Sequence, residues 1–98
     1  IFAVERSSEG FETIVDFTRG ADKVALRAAD LGIDHLRLGD NLFIGQNPVA
    51  TSAKASVIYD QRTGYLSFDA DGSGAEAAVV LAHLSNRAVL LEPDFMLA

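Results

Sequence analysis

Residues 56–69 read Ser56-Val57-Ile58-Tyr59-Asp60-Gln61-Arg62-Thr63-Gly64-Tyr65-Leu66-Ser67-Phe68-Asp69, and they decide the fold class. Two runs rich in β-branched and aromatic side chains flank Gln61-Arg62-Thr63-Gly64, a polar segment that ends in glycine. A period of two on each side of a short glycine-containing turn predicts a β-hairpin, 56–60 against 65–69.

The same signals extend outward in both directions. Toward the C-terminus, the loop Asp71-Gly72-Ser73-Gly74 leads into 77–84, apolar at both parities and therefore expected to be buried on both faces. The tail, 90–98, is a further apolar run interrupted by Pro93. Toward the N-terminus, 45–54 is polar, contains Pro48 and reads as a loop. Before it, short strands are expected at 2–4, 13–17, 23–26, 36–38 and 42–44. Residues 27–31 are expected to make one helical turn that Gly32 ends. Short strands separated by turns every eight to twelve residues predict an all-β chain and exclude a helical bundle.

At 98 residues the chain is one domain, 1–98. Nearly half the residues are apolar, which argues against disorder. Eight Lys and Arg stand against fourteen Asp and Glu, a net charge of −6. That excess repels a phosphate backbone or an anionic membrane surface, so no nucleic-acid partner is expected. No apolar run approaches the ~18 residues of a spanning helix, so no membrane insertion is expected. The absence of cysteine removes disulfides, thiolate metal sites and thiol catalysis. The opening Ile1-Phe2-Ala3-Val4, with no Met before it, reads as the start of a C-terminal piece of a longer chain.

The first half also contains a degenerate repeat. Gly10-Phe11-Glu12-Thr13-Ile14, Gly20-Ala21-Asp22-Lys23-Val24 and Gly39-Asp40-Asn41-Leu42-Phe43 share the frame Gly, any, Asp/Glu/Asn, any, large apolar. This is the second half of the calcium-binding β-roll repeat Gly-Gly-x-Gly-x-Asp-x-U-x, in which carbonyls and the Asp carboxylate ligate Ca²⁺ and U points inward. The double glycine is missing in every copy. Each copy fits either a degenerate coil that has lost most of its ligands or a plain hairpin turn.

Taken together, these residues resemble the C-terminal flank of RTX proteins, the secreted bacterial proteins with hemolysin-type calcium repeats, including the C-terminal region of serralysin-like metalloproteases. Residues 11–17 with 20–26 resemble the family's GxDTIxDFxxGxDxIDL segment. Val57-Ile58-Tyr59-Asp60, Thr63-Gly64, Leu66 and residues 69–74 resemble its YDxxTGxLxxDxDGxG block, and Leu91, Asp94 and Phe95 its closing LxxxDF. The blocks stand in the family's order across nearly the whole chain. The resemblance implies the end of a parallel β-roll with degenerate coils (1–44), followed by an antiparallel hairpin cap (55–98). It implies calcium-loaded repeats upstream in the same chain, export by type I secretion machinery, and an extracellular location. It also implies an uncleaved C-terminal export signal, whose acidic-then-apolar form Asp94-Phe95-Met96-Leu97-Ala98 has; an ordinary last strand fits the same residues. Glu12 and Ala25 replace acidic positions of the family pattern, which weakens calcium binding in the first block.

The sharpest candidate site is Asp69-Ala70-Asp71-Gly72-Ser73-Gly74: Asp69, Asp71 and Ser73 offer oxygens at alternate positions and Gly72 permits the bend, the start of a calcium loop. The twelfth position is Val80 rather than Glu, which excludes a full EF-hand. Two readings fit, a partial calcium site completed by carbonyls and a remote carboxylate, or a solvated turn. Asp16 and Asp22, together with Asp40, form a second candidate set, as calcium ligands between facing coils; alternatively Asp16 and Asp22 cap turns beside Arg19 and Lys23. Catalysis is not expected. His35 and His83 are far apart in sequence, and neither G-x-S-x-G nor H-E-x-x-H occurs. The chain therefore reads as a non-catalytic cap carrying an export signal. Alternatives are an accessory domain of a secreted hydrolase, either a metalloprotease or a polysaccharide-acting enzyme, or an adhesin or surface-layer module.

Overall fold

The hairpin forms where its alternation places it. Strand β5 (Ser56–Asp60) pairs antiparallel with β6 (Tyr65–Asp69), and Val57 faces Phe68 while Tyr59 faces Leu66. All four of these side chains are buried. The turn between them is closed by Gly64 N–H donating to the Asp60 carbonyl at 2.7 Å and by Arg62 N–H donating to the Asp60 carboxylate at 2.9 Å. The computed structural model describes residues 2–4, 11–18, 20–46, 48, 53–70, 72 and 78–97.

Two sheets are built around this hairpin. The larger sheet has the order β2-β7-β6-β5-β4, where β2 is Glu12–Ile14, β4 is Leu42–Gly45 and β7 is Val79–Leu84. Its centre is antiparallel, whereas β2 lies parallel to β7 and β4 parallel to β5. The smaller sheet has the order β1-β3-β8, where β1 is Phe2–Val4, β3 is Val24–Leu26 and β8 is Phe95–Leu97, and both of its pairings are parallel. The fold is all-β in mixed sheets, with one single-turn helix α1 (Ala28–Leu31) and a 3₁₀ turn at Glu92–Asp94. Gly32 ends α1 as expected: it adopts the left-handed conformation and its N–H donates to the Ala28 carbonyl.

One apolar core fills the space between the sheets. Val4, Val24, Leu26 and Phe95 enter it from the smaller sheet, and Ile14, Leu42, Val57, Tyr59, Leu66, Phe68 and Leu84 from the larger. Tyr59 is fully buried, and its hydroxyl is satisfied by donating to the Ala88 carbonyl at 2.6 Å. Within β7, Leu81 and the adjacent Ala82 are both buried, where a bulge opposite Leu66 and Ser67 shifts the register; Val79, Val80 and His83 are only half-buried.

Several sequence expectations are corrected. The strand expected at 13–17 spans only Glu12–Ile14, because the chain bends at Val15. No strand forms at 36–38. Asn41, buried, accepts the Arg37 N–H at its Oδ1 (2.9 Å) and donates from Nδ2 to the His35 carbonyl (2.8 Å), folding 35–41 into a closed turn. The third repeat frame also shifts by one position. Ile14 and Val24 point inward as the frame requires, but in the third copy Leu42 is fully buried and Phe43 only half-buried.

Candidate functional site

The expected ligand residues fall into two places. Asp69 ends β6 opposite Ser56; it is buried and already has a bonding partner. Gly72, in the left-handed conformation, donates its N–H to the Asp69 carbonyl at 3.3 Å, so the chain turns back on itself directly after the strand. Asp71 and Ser73 lie outside the described residues. On the other side of the chain, Asp22 accepts the Thr18 N–H at 2.9 Å and its own N–H returns to the Thr18 carbonyl at 2.8 Å. Its carboxylate thus caps a turn. Asp16 is exposed, and its carbonyl accepts the Thr18 hydroxyl. Among the described residues, no three His, Cys, Asp or Glu side chains are grouped to hold a metal ion. Among those residues, Asp16 and Asp22 are therefore not gathered with a third acid, and Asp40 is engaged by His35 and Lys54.

Glu12 is exposed on β2, and Asn41 holds its own turn. The glycines at two of the frames have a clear reason: Gly20 and Gly39 both adopt positive φ, about 90°.

Two clusters were not legible as such in the sequence. The first is a charge chain around His35. Its Nδ1 lies 2.8 Å from Asp34 Oδ1, its Nε2 lies 2.9 Å from Asp40 Oδ2, and Lys54 Nζ lies 2.7 Å from Asp40 Oδ1. Hydrogen bonds to Asp34 and Asp40 raise the His35 pKa above its ordinary value. The Lys54 and His35 hydrogen bonds hold Asp40 down at about 2, and the His35 hydrogen bond lowers Asp34. A histidine preceded by one acid and followed by another five residues on was the available signal, but only the turn at 37–41 brings the second acid to the ring.

The second cluster is aromatic. Tyr65 stacks on His83 across the β6–β7 pair with ring centroids 4.4 Å apart, and Phe11 meets Tyr65 edge-on at 5.8 Å. His83 Nε2 donates to the Thr63 carbonyl at 2.9 Å, since a carbonyl can only accept. His83 thus ties β7 to the hairpin turn. Both His35 ring nitrogens face carboxylates, and one His83 nitrogen is bound to backbone.

Two shallow grooves run beside the outer strands. One, of about 430 Å³, is lined by Leu36, Glu92, Pro93 and β8; the other, of about 340 Å³, by Leu38, Gly39, Pro48 and β4. Among the described residues both linings are mainly apolar, Glu92 being the titratable side chain in the first. No known protein family, curated protein or solved structure matches the chain.

Proposed function

We propose that this chain is a non-catalytic C-terminal cap for a calcium-loaded parallel β-roll in a secreted bacterial protein of the RTX type. The observation that carries this reading is the path of the first three strands. The chain passes from the smaller sheet (β1) to the larger (β2) and back to the smaller (β3), and Phe2 lies beside Val24 in parallel register, 22 residues on. Such a path is what one turn of a two-sheet parallel roll would need, and it supports the cap reading. Moreover, among the described residues β1 and β2 are each the outermost strand of their sheet, the position at which a preceding coil would stack.

After β3 the winding stops. The chain turns to the antiparallel β5–β6–β7 meander, and β8 closes the smaller sheet on β3. A repeat array needs such an end, because its last coil otherwise exposes an apolar face and unpaired backbone groups. In this reading, acidic repeats upstream repel one another at the low calcium of the cytosol and pass through the export channel unfolded. External calcium neutralises them, and metal binding drives folding from the cap. Asp69, Asp71 and Ser73 are the proposed calcium ligands of this chain itself, and 94–98 is the proposed type I export signal. Phe95 is buried and β8 pairs with β3, so that signal is read before the domain folds.

The test joins calcium-binding repeats ahead of residue 1 and follows their folding against calcium concentration, with and without this domain. The cap reading expects the domain to lower the calcium needed to fold the repeats. An unchanged calcium midpoint overturns it.

A further inference from the structure

The connection that crosses from the smaller sheet to the larger runs from Gly32, at the end of α1, to Asn41, at the start of β4. We propose that Asp34, His35, Asp40 and Lys54 form a proton-operated brace on this crossing, closed while His35 is doubly protonated and released when it becomes neutral.

The geometry requires a charged ring. Asp34 Oδ1 and Asp40 Oδ2 lie within hydrogen-bond distance of opposite ring nitrogens, at 2.8 and 2.9 Å. An ionised carboxylate only accepts, and a neutral imidazole has a single N–H, so neutral His35 would aim a lone pair at one of the two carboxylates. Only the imidazolium donates to both. The brace continues beyond the ring, because the second oxygen of Asp40 accepts from Lys54, two residues ahead of β5. The closed chain thus ties the front of the crossing, its end and the entry to the central hairpin.

The neutral half of the same connection does not titrate. Asn41 holds the Arg37 N–H and the His35 carbonyl at any pH. Release is therefore confined to the stretch between these anchors, where Leu36 lines the groove beside β8 and Leu38 the groove beside β4. The other charged groups on this stretch are Arg37 itself and Glu92, whose carboxylate reaches the Leu38 N–H at 3.4 Å from the 3₁₀ turn. Loss of the His35 proton leaves Asp34 and Asp40 facing a neutral ring, with Lys54 still holding Asp40.

The direction of the effect follows from the two states. His35 binds its proton more tightly in the folded chain than in the unfolded one, where the ordinary value is 6.5. The brace therefore contributes fully below that value and is lost as pH rises through the higher folded value.

The experiment is a pH titration of the histidine ring and backbone amide signals by NMR on the whole chain, with His35→Gln identifying the His35 signals. The brace expects His35 to titrate above the ordinary imidazole value, the amides of 36–39 to move with it, and Asp40→Asn to lower its titration point. It also expects the fall in melting temperature above pH 6.5 to be smaller in His35→Gln. His35 titrating at its ordinary value, amides of 36–39 indifferent to its titration, or a His35→Gln melting profile parallel to that of the parent chain would each overturn the proposal.

Discussion

Gly64 shows how one position fixes the joint between the hairpin and β7. Its φ of +82° is open to glycine at little cost, and a Cβ there would collide with the Leu84 carbonyl oxygen, whose own N–H already donates to the Gly64 carbonyl. Gly64→Ala is expected to destabilise the chain by about 2 kcal/mol or more, combining left-handed strain with a backbone clash, as measured by urea unfolding. Tyr59→Phe removes the bond to the Ala88 carbonyl and should cost about 1–2 kcal/mol in the same assay. Burial pushes the Tyr59 hydroxyl up to about 12 from 10. The unfolded chain therefore loses this proton first, and stability should fall as pH rises between those values, a slope that Tyr59→Phe should reduce. For Asp40 the sign is opposite: held at about 2, its contribution is present above the unfolded value of 3.8 and lost as pH falls through about 2. Acid unfolding of Asp40→Asn should lack that component.

At the scale of elements, local pattern was legible wherever one face is buried and the turn chemistry is short-range. The hairpin 56–60/65–69 and the Gly32 stop match the sequence to the residue, because alternation and a left-handed glycine each act within a few positions. The strand expected at 36–38 failed because a buried Asn41 side chain captured backbone groups that a strand would have paired. The tail fits both a signal and a strand, and β8 carries a consequence for testing the signal. Removing 94–98 also removes buried Phe95 and the parallel pairing with β3, so a truncated chain would lose export and folding together. Met96, 37% exposed, is the better probe. Met96→Asp breaks the apolar run while leaving Phe95 in the core; it should lower export into the medium yet keep the melting temperature within a few degrees. Unchanged export would remove the signal from this segment.

For the molecule as a whole, the class was legible and the pairing was not. Strand composition and turn spacing give an all-β chain, but nothing local announces that β2 joins β7 or that β8 returns to β3, pairings about 70 residues apart. Such contacts are chosen by the shared core, in which Ile14 meets Leu84 in register and Val24 meets Phe95. The candidate calcium loop was legible only as a spacing of oxygens, since burial of Asp69 is set by β6 and not by the loop itself. The cap reading gathers these long-range pairings into one claim, that β1 and β2 together form the seat for a preceding coil. Backbone hydrogen exchange tests it most directly, in this chain alone and with calcium-binding repeats joined ahead of residue 1. The account predicts that calcium slows exchange of the 2–4 and 12–14 amides in the joined protein and leaves them unchanged in the chain alone. Equal exchange in those two strands with and without the folded repeats would contradict it.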